Sequence, residues 1–172
     1  MAKTSKTGYS GLQIGLHWII AALVLFQLIF GESMTAVVDA VDEGGTASSS
    51  DQLVGTAHYW VGLAILVLVA IRLAVRIRQG APAHAPGRAP FTVLAATAMH
   101  WGFYGLLFAV PVFGLLAYYF GGSFGDIHAL AKPVFIVLIG LHAAAALFNQ
   151  FVLRDGTLKR MLVPGLDPNA GR

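Results

Sequence analysis

The sequence predicts an all-α integral membrane protein, a four-helix bundle with both termini in the cytoplasm. Three observations predict it. The 172 residues are 57% hydrophobic and only 11% charged, more apolar surface than a soluble domain of this size can hide. The apolar residues gather in four segments, each long enough for the roughly 20 helical residues that a bilayer crossing needs. The basic residues then fall at alternate ends of those segments. The length allows one domain over 1–172, with spans near 12–34, 53–76, 92–120 and 128–153.

The first span begins IGLHWIIAALVLFQLIFG and follows Lys3 and Lys6, as the apolar core of a secretory signal would. It is longer than such a core and no small-x-small cleavage site follows, so it reads as a retained span. The loop after it, AVVDAVDEGGTASSSDQ, carries Asp39, Asp42, Glu43 and Asp51 and no base. The second span ends among Arg72, Arg76 and Arg78, with Arg88 beyond. QGAPAHAPGRAP then makes an extended Pro/Ala/Gly hinge, in which His84 reads as a solvated side chain. Pro111 is expected to kink the third span. The third loop, GGSFGDIHALAK, has Asp126 and Lys132, and the tail has Arg154, Lys159, Arg160 and Arg172. The positive-inside rule therefore places both termini and the second loop in the cytoplasm, with the first and third loops outside.

The net charge of +3 does not imply a nucleic-acid partner, because the bases sit at span ends and form no basic-aromatic stripe. Cysteine is absent. That excludes disulfides, iron–sulfur clusters and thioether-attached haem.

Five of the six histidines lie in or at the edge of the spans: His17, His58, His100, His128 and His142. An ionisable ring at membrane depth is costly and marks a partner or a function. Imidazole is a common axial ligand of haem iron, so a buried haem b is the cofactor these positions suggest. His128 and His142, 14 residues apart on one helix, share roughly one face at about 21 Å separation, too far for one cofactor and suitable for two. Depth pairs His58 with His128 toward the outside and His17 with His142 toward the cytoplasm. Two imidazoles on one iron leave no open position, which suits electron transfer. The four do not converge at one depth as a tetrahedral zinc site requires. Spacing alone leaves His100 open, as a competing partner of His17, as a hydrogen-bonding group for a propionate or quinone, or as a packed polar residue. Arg72 and Arg76 read equally as propionate partners and as inside-positive charges. Gly55, Gly62, Gly102, Gly105, Gly114 and Gly140 read as close-approach positions for a macrocycle or a helix.

LQIGLHW, HYWVG, HWGFYGLLFAVPVFGLL and IHALAKPVFIVLIGLHAAAALFNQFVLRDGTLKRML together resemble the bacterial cytochrome b561 family, four-helix di-haem b membrane cytochromes, over about residues 9–161. The resemblance implies two haems b in a multi-pass protein of the bacterial inner membrane. It implies His17, His58, His128 and His142 as ligands, and it argues against ligation by His100. It further implies exchange of electrons between the ubiquinone pool and an outer-side partner, with superoxide oxidation as one activity of the family. Two features depart from the pattern. A histidine pair often follows the LHAAAAL run in the family, where this chain has Asn149 and Gln150. These can donate to a quinone carbonyl but cannot transfer a proton near pH 7, so with His100 they form only a candidate quinone end. The outer loops are also acidic. Unless Lys132 focuses a positive field at His128, they repel superoxide and better suit a small cationic periplasmic redox protein.

Three functions follow in rank. The first is an electron-transfer protein between an outer-side one-electron donor and quinone. The second is a haem-bearing anchor of a larger dehydrogenase or reductase, which requires a partner chain. The third, a histidine-lined transporter, ranks last because the spans lack buried carboxylates.

Overall fold

A computed structural model of the chain describes residues 8–82 and 88–166. His84, Lys3, Lys6 and Arg172 lie outside the described residues. The rest forms four long helices, α1 Gly11–Asp42, α2 Ser49–Gln79, α3 Pro90–Phe120 and α4 Phe124–Phe151, followed by a 3₁₀ turn at Lys159–Met161. All four helices are long and apolar enough to cross a membrane.

The helices overrun the apolar segments. α1 runs through residues read above as loop and ends at Asp42, and α2 starts at Ser49. Of the third loop only 121–123 remains non-helical, and His128 lies inside α4 rather than at its start. Apolarity reports where lipid begins, whereas helical hydrogen bonding continues until a cap stops it. The caps here are local. Ser10 and Gln13 form a capping box, and Ser48 Oγ accepts from the Asp51 N–H at 3.1 Å. Gly121 and Gly122 both take positive φ, 64° and 67°, which turns α3 into α4 within three residues. α3 continues through Pro111 and α4 through Pro133.

α1 packs along α2, α3 along α4, and α2 against α3. The core gathers Ile20 and Val24 from α1, Ile65 and Val69 from α2, Tyr104 from α3, and Ala131 and Phe135 from α4. Most other large apolar side chains face outward, with Leu53 72% and Phe120 76% exposed. So much outward apolar surface is stable only against lipid.

We call the ends of the bundle basic and acidic after their charges. At the basic end polar contacts lace α1 to α2. Ser10 Oγ donates to Gln79 Oε1 at 2.8 Å, Gln13 Nε2 to the Gly80 carbonyl at 2.9 Å, and Arg72 Nη1 to the Gln13 carbonyl at 2.6 Å. The C-terminal segment folds back over the same end. Trp18 Nε1 donates to the Met161 carbonyl at 2.8 Å, and the Gly165 N–H to the Tyr9 carbonyl at 2.9 Å. Arg88, just before α3, forms an ion pair with Asp155, which also accepts from the Thr157 N–H at 2.9 Å. Burial pushes the Asp155 carboxyl up, but hydrogen bonds from Thr157 and Arg88 outweigh it and hold it below its ordinary value.

The two side chains of this pair are only 15% and 10% exposed. Arg88→Ala leaves a carboxylate without its cation and should cost on the order of 3 kcal/mol, read as a lower thermal midpoint by tryptophan fluorescence in detergent. Because the folded-state value is depressed, the stabilisation from Asp155 is complete above the unfolded carboxylate value of about 3.9 and is lost as pH falls through the lower folded value. The midpoints of wild type and Asp155→Asn should therefore converge below about pH 4. A constant gap across that range would show that the carboxylate charge does not matter.

Candidate metal centre

The intramembrane histidines meet in two layers. Toward the acidic end, the rings of His58 on α2 and His128 on α4 lie 5.9 Å apart between centroids, at 75°. Toward the basic end, His17 on α1 and His142 on α4 lie 6.3 Å apart, at 56°. Both are the depth pairs expected from the sequence. Each joins α4 to α1 or α2, outside the main packing contacts of the bundle.

This donor set fits an iron held between two imidazoles. A metal–nitrogen bond of about 2 Å on each side, plus the radius of each ring, separates the ring centroids by about 6 Å. One ring is also oriented for the task. His128 Nδ1 lies 2.9 Å from the Val110 carbonyl, an acceptor, so Nδ1 carries the proton and Nε2 keeps its lone pair. Gly114, one turn on from Val110, makes room for that ring, since a Cβ there would stand 2.9 Å from His128 Cε1. A Cβ on Gly31 would meet His58 Cε1 at 3.8 Å, an ordinary van der Waals contact, so no such cradle is needed there.

His142 faces a second imidazole. The His100 ring is 5.6 Å away at 84°, and His100 Nδ1 lies 2.6 Å from the Ala96 carbonyl one turn back on its own helix. Phe103 closes a further side of His142 at 5.4 Å. His100 thus belongs to the basic-end layer, and distance alone does not separate it from His17. Among the described residues no group of three or more His, Asp or Glu side chains is placed to hold one metal ion together.

The remaining candidates divide. Arg72 and Arg76 share a small polar cavity with Tyr9, Gln13 and Tyr104 at the basic end, and the Arg76 guanidinium lies 5.9 Å from the centre of the Tyr104 ring. Lys132 stands one turn from His128, but its ammonium is engaged by Glu32 on α1, so it is not a free positive charge at the acidic end. Gln150 Oε1 accepts from the Lys159 N–H at 3.3 Å and so anchors the C-terminal turn, and the Asn149 carbonyl accepts from the Asp155 N–H at 3.1 Å. Among the described residues no hydrogen bond joins Asn149 or Gln150 to His100. Of the glycines, Gly55 packs on Val37 and Met34 of α1 and Gly62 on Gln27. Gly102, Gly105 and Gly140 have no atom within 4 Å of an added Cβ, so no other helix is packed against them in this structure.

Sequence reasoning missed Gln27. Its Nε2 donates to the His58 carbonyl at 2.9 Å, inside the membrane-spanning part of α1. The signal was available, since it is a lone amide in the apolar run IIAALVLFQLIFG. An aromatic-walled cavity near the acidic end was also missed; Tyr59, Trp60, Tyr118 and Tyr119 line it with Met34 and Gln52.

The family model described as prokaryotic cytochrome b561 matches residues 8–164. A cytochrome b562 of Cereibacter sphaeroides is 40% identical over 94% of this chain and 99% of its own length. A protein of Yersinia pestis named probable superoxide oxidase CybB is 33% identical over 90% of this chain and 95% of its own. Cytochrome b561 homolog 1 of Escherichia coli is 30% identical over 90% and 96%.

Gly114→Ala should displace the His128 ring and lower the haem content per chain, with Gly114→Val lowering it further. Gly125→Ala, at an exposed position with nothing within 4 Å, should leave it unchanged. Haem-to-protein ratios of the purified proteins decide this, and full occupancy in Gly114→Val would show that the glycine cradle is unnecessary.

Proposed function

The chain belongs to the prokaryotic cytochrome b561 family, and on that premise we propose that it is a transmembrane di-haem cytochrome linking an outer-side one-electron donor to the quinone pool. The observation that carries this reading is the pair of imidazole gaps, 5.9 Å and 6.3 Å, stacked at two depths along α4.

Haem b held in each gap supplies reversible one-electron chemistry at its iron. The protein's own residues do the rest. His58 and His128 would hold the group at the acidic end, and His17 and His142 the one at the basic end; held by two imidazoles, each would serve electron transfer. Val110 fixes the His128 tautomer. Arg72 and Arg76 lie where they can neutralise propionate carboxylates at the basic end. His100, beside His142, is the candidate side chain to hydrogen-bond a quinone there. The alternating charge of the loops supports an acidic end that faces the periplasm.

Two donors are supported by different observations. The relative named probable superoxide oxidase supports superoxide. The outer loops support a small basic redox protein, because Glu32, Asp39, Asp42, Glu43, Asp51 and Asp126 oppose an anion and Glu32 engages Lys132.

Protein purified in mild detergent should show two haems b per chain by pyridine haemochrome and a reduced-minus-oxidised b-type spectrum. His128→Ala should lose about half of that haem, since one of two ligand pairs is broken. Retention of both haems in His128→Ala would overturn the ligand assignment. Mixing the oxidised protein with superoxide or with a reduced small basic cytochrome discriminates the donors. Reduction by the cytochrome that falls steeply with added salt supports the protein donor, and fast reduction by superoxide that holds or rises with added salt supports the other.

A further inference from the structure

Gln27 carries two polar groups into the apolar part of α1, where an unpaired polar group is costly. One is used, since Nε2 donates to the backbone carbonyl of His58. The approach is close enough that a Cβ on Gly62, one turn on from His58, would stand 3.3 Å from that nitrogen. Among the described residues the other group, Oε1, is buried without a hydrogen-bond partner, and so is His58 Nδ1. An orphan acceptor and an orphan ring nitrogen therefore belong to two residues already joined by a hydrogen bond.

The facing ring shows what is missing. His128 has its Nδ1 held by the Val110 carbonyl, which frees Nε2, while His58 has no such support. We propose that Gln27 is the positioning residue of His58. When the His58 ring presents Nε2 to iron, Nδ1–H turns to donate to Gln27 Oε1. That contact satisfies both orphans, fixes the tautomer and orientation of the ring, and makes it the more basic ligand. A more basic ligand favours the ferric state, so Gln27 holds down the reduction potential of the acidic-end haem alone. The proposal rests on His58 being an axial ligand.

The experiment is a spectroelectrochemical redox titration of the purified holoprotein, with His128→Ala used to identify which of two transitions belongs to the acidic-end haem. In Gln27→Leu, of similar size but without an acceptor, that transition should move to higher potential while the other stays. Gln27→Glu keeps an acceptor at the same reach and should bring it back to the wild-type value or below. Gln27→Met, a more pliable side chain without the amide acceptor, should shift the same transition in the same direction as Gln27→Leu, which keeps the test decisive if Gln27→Leu does not assemble. Unmoved potentials in the variants, or equal movement of both transitions, overturns the proposal. Failure of the underlying ligand assignment has a different signature: wild type without two haems, or His58→Ala retaining both.

Discussion

Imidazole rings inside a bilayer are costly unless their nitrogens find partners, and this bundle gathers its rings in two layers. Helices satisfy their own backbone, so the polar groups left to be accommodated at depth are side chains. Here they are set facing one another, His58 against His128 and His17 against His142. α4 supplies one ring to each layer, which fixes the distance between layers through helical rise and makes that helix the spine of the molecule. α1 and α2, packed along each other, supply the opposing rings. The main helix contacts run along the sequence, α1 to α2 to α3 to α4, and the ring pairs close the arrangement across them.

The layers differ in how their rings are held. At the acidic end His128 is pinned by a backbone carbonyl and a glycine, and the polar neighbour of His58 is an amide from α1. At the basic end His142 is surrounded by rings, those of His17, His100 and Phe103, with Arg72 and Arg76 in a polar cavity at the same end. That gives the two proposed cofactor positions different electrostatics within one four-helix frame. Cations and a titratable imidazole suit the end proposed for quinone, and an apolar, hydrogen-bonded setting suits a site that only passes electrons.

Several charged and polar side chains toward the two ends of the bundle are spent on structure. Glu32 and Lys132 tie α1 to α4 near the acidic-end layer. Arg88, Asp155 and Thr157 join the start of α3 to the segment after α4. Gln150, a candidate for quinone from the sequence, holds the turn at Lys159. This folded-back segment, fastened by Trp18 and Tyr9 to α1, covers the basic end near the histidine layer.

The number and order of the long apolar helices, and the two depths at which α4 carries a histidine, were legible in the chain itself, because apolar length and a 14-residue spacing of His along one helix are linear properties. The S-x-x-Q capping signal at Ser10 is equally linear. Helix ends were less legible, since apolarity marks the lipid boundary while caps such as Ser48 and Gly121 mark the end of hydrogen bonding. What only the tertiary structure decided depends on rotation about the helix axes and on which helices touch. That His100 lies within ring contact of His142, that Gly114 faces a ring while Gly140 faces none, that Lys132 is engaged by a glutamate 100 residues away, and that Gln27 reaches His58 are contacts between residues far apart in the chain. Hydropathy fixes a residue's depth in the membrane but says little of its azimuth, and azimuth selects the partner.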